Sequence, residues 1–214
     1  MIKTKKQGSL IVLSGPSGSG KNTVCDAFLK QNENCWESIS CTSRLPRPGE
    51  VDGKEYYFIT KEEFEQRIKE NVFLEYAIYN ETYYGTPKTI IEEKRNQGIN
   101  VILVIEVQGA LQIKELVPDA IFIFLMPPSM DILKKRLEGR GTESKEKILN
   151  RFKTAYQEIN EVSKYNYVVV NDEVEKAVKK IESILTAEMC RVDRIEEVDL
   201  YTEEEVLHES LMQE

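Results

Sequence analysis

The stretch GPSGSGKNT at residues 15–23 follows directly on the apolar run SLIVLS at 9–14. It leads into TVCDAFLK, whose Val24, Ala27 and Phe28 share one helical face. In a strand–glycine loop–helix unit, backbone N–H groups can surround phosphate oxygens, and the positive end of the helix adds to them. Gly15, Gly20 and Lys21 fit the pattern G-x-x-x-x-G-K, after which Ser or Thr is the rule. This chain has Asn22, and a hydroxyl comes only at Thr23. The competing reading is a plain tight turn, and the lysine at this offset argues against it. The expected phosphate cradle is Gly15, Pro16, Ser17, Gly18, Ser19, Gly20, Lys21, Asn22 and Thr23. Lys21 would reach the β- and γ-phosphates, and Gly18 and Gly20 would admit them without a Cβ clash. The hydroxyl missing at Asn22 normally touches Mg²⁺. The Asn22 amide oxygen, Thr23 or a water would take that place.

The rest of the chain supplies the sheet into which such a loop must be built. VILVIE at 101–106, AIFIFLM at 120–126 and YNYVVV at 165–170 are near-continuous apolar runs, which suit strands covered on both faces of a parallel sheet. Helical patterns at 108–116, 129–138, 144–163 and 173–190 alternate with them, so the expected fold is α/β and layered, with crossover helices. Residues 37–90 read differently. PRPGEVDGKEYYF is rich in turns and ends in an aromatic strand. Thr60 and Glu63 form a capping box for the helix KEEFEQRIKE. FLEYAIY and TYYGT are further short strands, and Thr86-Pro87 suits the N-cap and first turn of another helix. A small mixed α+β insert between the first strand–helix unit and the main sheet is expected here. From about Arg191 the chain turns acidic, as a terminal helix or a solvated tail.

Charge and composition remove other classes of function. The 214 residues, 41% of them hydrophobic, suit one compact domain or one core with a small inserted subdomain. The net charge of -8 argues against broad nucleic-acid binding, although arginines in a cleft can still attract a small anion. No apolar run is long enough for a membrane span and no leader opens the chain, so a cytoplasmic protein is expected. Cys25, Cys35, Cys41 and Cys190 show no C-x-x-C spacing, and the one histidine, His208, lies in the acidic tail. Neither a zinc site nor histidine catalysis is expected.

After the loop, ISCTSRLPRPGEVDGKEYYF resembles the acceptor-binding signature of guanylate kinases. The agreement continues through FLEYAIYNETYYGTP, IEVQGA, RLEGRGTES and VVNDEVEKA, from residue 9 to about 188. The resemblance implies a P-loop three-layer α/β fold with a parallel central sheet, an inserted mixed GMP-binding subdomain and a helical lid. Its divisions would be a kinase domain over 1–190, with core 1–36 and 88–190, insert at about 37–87 and lid at about 136–150, then the tail 191–214. It implies ATP-dependent phosphorylation of GMP with Mg²⁺, ATP and GMP being the small-molecule partners. It leaves monomer and homo-oligomer both open.

By the same resemblance, Arg44, Arg47, Tyr56 and Tyr84 hold the GMP phosphate, a task suited to guanidinium forks. Glu75, Ser40 and Thr86 read guanine. A carboxylate accepts from N1–H and the exocyclic amine, and adenine would leave it unpaired. Glu106, at the end of a strand, lies near the acceptor; two residues earlier the family usually carries a second acid, and this chain has Val104. Arg136, Arg140 and Arg151 neutralise the ATP phosphates and the transferring group, and Asn171 and Asp172 lie on the adenine side. Two rivals remain. A non-enzymatic protein-binding domain of the same fold would have a damaged loop, whereas this one keeps Lys21. A kinase for another nucleotide would lack the set Glu75, Ser40 and Thr86.

Overall fold

The computed structural model describes residues 2–4, 7–79, 81–138 and 145–198. In chain order the strands are β1 (Ile2–Thr4), β2 (Leu10–Ser14), β3 (Cys35–Glu37), β4 (Cys41–Thr42), β5 (Tyr57–Phe58), β6 (Phe73–Tyr79), β7 (Thr82–Pro87), β8 (Asn100–Val104), β9 (Ile121–Met126), β10 (Tyr167–Val170) and β11 (Ile195–Val198). The helices are α1 (Lys21–Leu29), α2 (Lys61–Lys69), α3 (Lys88–Asn96), α4 (Val107–Leu116), α5 (Met130–Glu138), α6 (Lys145–Ile159) and α7 (Val174–Met189).

The central sheet is parallel, in the order β10-β9-β2-β8-β3. Period-2 alternation sends side chains of one strand to opposite faces. Ile11, Leu13, Ile102 and Ile123 pack against Val24 and Phe28 of α1 and Val178 and Ile181 of α7. Leu10, Val12, Val101 and Leu103 pack against Ile91 of α3 and Ala110 and Ile113 of α4. Both faces are therefore dry, which is why these strands read as unbroken apolar runs. The edge strand β3 did not announce itself in the sequence. CWE is three residues long and half-buried, with a charge at its end, and it forms because β8 offers an open edge.

A second sheet, ordered β5-β4-β7-β6, is mostly antiparallel and carries its own small core of Cys41, Phe64 and Phe73. The Phe64 and Phe73 rings stack with centroids 4.4 Å apart. The Thr60 hydroxyl caps α2 by accepting from the Glu63 amide at 3.1 Å. The expected cap at Thr86 does not form. Helix α3 starts one residue later, from Pro87, without a side-chain cap, because the Thr86 hydroxyl is engaged across the sheet by Glu75. The small sheet meets the main layer at α4, where Gln112 Nε2 donates to the Tyr76 carbonyl at 3.1 Å.

The two ends of the described chain meet. β1 pairs antiparallel with β11, so the acidic segment opens with a 3-10 turn, Val192–Arg194, and then a strand, where a terminal helix or a solvated tail was expected; residues 199–214, with His208, lie outside the described residues. Arg194 anchors this turn, donating to Ser9 Oγ at 2.7 Å and to the Asp119 carbonyl at 3.2 Å. Buried Glu188, 4% exposed, lies between Arg191 and Arg194 and accepts from the Tyr167 hydroxyl at 2.6 Å. Glu188→Ala removes the acceptor of the Tyr167 hydroxyl and one partner each of Arg191, which keeps Asp193, and Arg194, which keeps Ser9 and the Asp119 carbonyl. It is expected to lower unfolding free energy by about 2–3 kcal/mol in urea titrations.

Candidate active site

The glycine loop, Glu106 and Asn171 follow the carboxyl ends of β2, β8 and β10, so one edge of the parallel sheet collects them. Lys21, the first residue of α1, is nearly buried at 9% exposure. Its Nζ donates to the Gly15 carbonyl at 2.7 Å and to Glu106 Oε2 at 3.3 Å. The lysine thus folds back over the loop, beside a carboxylate whose side chain is half exposed to solvent.

The loop is held from outside as well as within. The Ser19 carbonyl accepts from Asn171 Nδ2 at 2.8 Å and from Arg136 at 3.2 Å, and Arg136 also donates to the Asn171 carbonyl at 3.1 Å. Gly20, at φ 95°, has Asn171 Nδ2 2.5 Å from where a Cβ would stand, and Gly18 has Leu133 and Leu137 of α5 at 3.0 Å. The glycines therefore answer the protein's own packing as well as any ligand. Asn171 is 3% exposed and braces the loop, while exposed Asp172 accepts from the Glu173 amide at the start of α7. With Gly18, Gly20, Thr23, Arg136 and Val174 they line a cleft of about 290 Å³. Arg151 on α6 reaches Ser17 Oγ at 2.7 Å. Arg140 lies outside the described residues.

Across the small sheet, Glu75 and Thr86 are paired in register on β6 and β7. Thr86 Oγ1 donates to Glu75 Oε1 at 2.5 Å, and the carboxylate is 6% exposed. Its other oxygen lies 2.6 Å from where a Cβ of Gly109 would stand, so a glycine in the first turns of α4 makes its room. Burial lifts the Glu75 carboxyl to about 7, with the Thr86 hydrogen bond pulling the other way. Ser40 is half-buried just before β4, and its carbonyl accepts from the Tyr57 amide.

Arg44 lies against the Tyr56 ring at 5.0 Å and the Phe58 ring at 5.4 Å. Tyr56 meets Tyr84 edge-on at 5.8 Å. Arg44, Tyr56 and Tyr84 thus form one cluster, with exposed Arg47 on the adjoining turn. Two acids here escaped the sequence reading. Glu50 grips both guanidinium arms of Arg44 at 2.6 and 2.7 Å and accepts from the Arg47 amide at 2.7 Å. The Arg44 hydrogen bonds hold the Glu50 carboxyl down at about 2. Glu158 on α6 accepts from the Ser17 amide of the loop at 3.4 Å. An Arg-x₅-Glu spacing over a turn could have suggested the first; nothing local marks the second, which lies 141 residues from its partner.

The arrangement presents two cationic regions: a loop with one lysine and two arginines, and a cluster of Arg44, Arg47 and two tyrosines. No group of three or more His, Cys, Asp or Glu residues placed to hold a metal occurs among the described residues. Exposed Asn22 and Thr23 open α1. This fits an ion such as Mg²⁺, which keeps several waters and takes most of its other ligands from substrate phosphates.

A family model described as guanylate kinase matches residues 7–188. A guanylate kinase of Clostridium tetani is 57% identical over 206 residues, covering 96% of this chain and 99% of its own. One from Clostridium perfringens is 56% identical over 210 residues, covering 98% and 97%. The crystal structure of guanylate kinase from Anaplasma phagocytophilum superposes with a TM-score of 0.76 at 32% identity, covering 97% of each chain.

Gly20→Ala combines a left-handed backbone with a clash against Asn171. It is expected to cost about 1–3 kcal/mol of stability, read by chemical denaturation.

Proposed function

The chain belongs to the guanylate kinase family, and from that premise we propose that its two cationic regions are the donor and acceptor sites of ATP-dependent GMP phosphorylation. One observation carries the acceptor assignment: a buried carboxylate, Glu75, hydrogen-bonded to Thr86 two residues along β7 from Tyr84 of the arginine–tyrosine cluster. Guanine offers N1–H and an exocyclic amine to such a carboxylate. Adenine offers neither and would leave the buried carboxylate with Thr86 but without a donor from the base.

In this reading ATP lies along the loop, its phosphates facing Lys21, Arg136, Arg140 and Arg151, its adenine toward Asn171 and Asp172. GMP lies in the small sheet, its phosphate on Arg44, Arg47, Tyr56 and Tyr84, its base on Glu75, Ser40 and Thr86. Glu106, beside Lys21, stands between the two. A phosphate oxygen of GMP forms the new P–O bond while the bond from the γ-phosphorus to the bridging oxygen of ADP breaks. The GMP phosphate is already ionised near neutral pH, so no general base is needed, which suits a site without histidine. Mg²⁺, held through Asn22 or Thr23 and the ATP phosphates, would supply further neutralisation of the triphosphate. Lys21 and the arginines offset charge between two anions and set them in line. Residues 136–150 act as the lid and residues 37–87 as the closing insert, excluding water that would otherwise hydrolyse ATP. The setting is the cytoplasm.

The test is nucleotide-dependent ADP formation with Mg²⁺ and GMP, AMP, CMP or UMP in turn. GMP alone is expected to support fast turnover; equal turnover with AMP would overturn the acceptor site. Lys21→Ala is expected to lower kcat at least about 100-fold with the far-UV spectrum unchanged.

Glu75 adds a pH signature. Its folded pKa of about 7 lies above the unfolded value, so the free protein loses stability as pH rises through 7. Guanine donors favour the ionised form, so GMP binding should lower that pKa and release a proton between roughly pH 5 and 7. Calorimetry of GMP binding in buffers of differing ionisation enthalpy should show this release. In Glu75→Gln the Glu-linked part should vanish and affinity fall on the order of 100-fold.

A further inference from the structure

Helix α6 places two opposite charges on one residue of the phosphate loop. Arg151 donates to Ser17 Oγ at 2.7 Å, and Glu158, two turns further along, accepts from the Ser17 backbone amide at 3.4 Å. A cation there is what a phosphate site needs. An anion on a loop amide opposes it, because that amide belongs to the set that would face phosphate oxygens. We propose that Glu158 is a positioning residue that occupies the donor-phosphate loop in the ligand-free protein and must yield its place when the donor binds. This rests on reading the loop as the donor site.

The surroundings of Glu158 support the exchange. Lys21 of α1 faces it with an opposite charge, while Glu106 at the start of α4 faces it with a like one. The phenol of Tyr165, before β10, lies within electrostatic reach of Glu158, and also of Glu106 and Glu161. Burial is the main cause that lifts the Glu158 carboxyl to about 7; Glu106 lifts it further, and Lys21 and the Ser17 amide pull it back. Glu158 is thus charged above neutral pH and largely neutral at pH 6. Lys21 cannot satisfy Glu106, Glu158 and a triphosphate together. An arriving phosphate repels Glu158 and attracts Arg151 on the same helix, so loop occupancy changes how α6 is tethered to the loop.

The test is the affinity of the full chain for ADP with Mg²⁺, by calorimetry, for wild type, Glu158→Gln, Glu158→Ala and Glu158→Asp. Removing the charge is expected to tighten ADP binding about five- to ten-fold near pH 8.5, on the scale of up to one pKa unit of interaction. The variant-to-wild-type ratio should fall to within about two-fold at pH 6, where wild-type Glu158 is itself protonated. That ratio cancels the titration of the nucleotide. Glu158→Asp keeps the charge and should follow wild type with pH. Glu158→Ala carries the same expectation as Gln should the Gln variant fail to fold. Unchanged or weaker ADP binding in the neutral variants near pH 8.5, or a ratio that does not vary with pH, would overturn the proposal. Wild-type protein that neither binds ADP nor turns over GMP would instead overturn the donor-site reading beneath it.

Discussion

The Ser19 carbonyl is the point on which this site depends. It accepts from Asn171 and from Arg136, and so ties the glycine loop to the end of β10 and to α5. A glycine-rich loop has high conformational entropy when free, and a phosphate cradle is useful only when its amides already point inward. The clamp supplies that order without a ligand. Gly18 and Gly20 follow from it, since side chains there would meet Leu133, Leu137 and Asn171. Arg136 of α5 bridges the loop and the end of β10, so movement of α5 and the shape of the loop are coupled.

The second sheet is ordered by a different economy. Among the described residues its core has three buried side chains, Cys41, Phe64 and Phe73, and polar contacts among the residues proposed to bind the acceptor add to it. Glu75 links β6 to β7 through Thr86 and abuts Gly109 of α4. Glu50 orients Arg44 and pins the Arg47 amide. An arginine held by a carboxylate and flanked by two aromatic rings is preorganised, which lowers the entropy lost when phosphate engages it. The acids Glu50, Glu106 and Glu158 each stand beside a cation assigned to an anionic substrate. In a chain of net charge -8 this pairing keeps the binding cations ordered.

The phosphate loop, the parallel strands and the helices between them were legible because each rests on local pattern: apolar runs, helical periodicity, and glycines followed by lysine. The residues proposed to read GMP were legible through a resemblance spread along the chain, which local pattern alone would not have supplied. Strands β1, β3 and β11 were not. Each is short and gains its hydrogen bonds from a partner far away in sequence, so nothing within it marks it as a strand. Thr86 shows the limit most directly. By local rules it suits a helix cap, and the fold instead turns its hydroxyl to a carboxylate eleven residues back.

The sequence by itself determined the α/β class and the glycine loop with its lysine. These follow from spacing along the chain, where neighbours three, four or two residues apart are already near one another. Tertiary structure alone decided which acid faces which base. Lys21 meets Glu106 across 85 residues and Ser17 meets Glu158 across 141. Such pairs form because closing the sheet carries strand ends to one edge. Burial there raises the cost of an unpaired charge, and only the completed fold sets that burial.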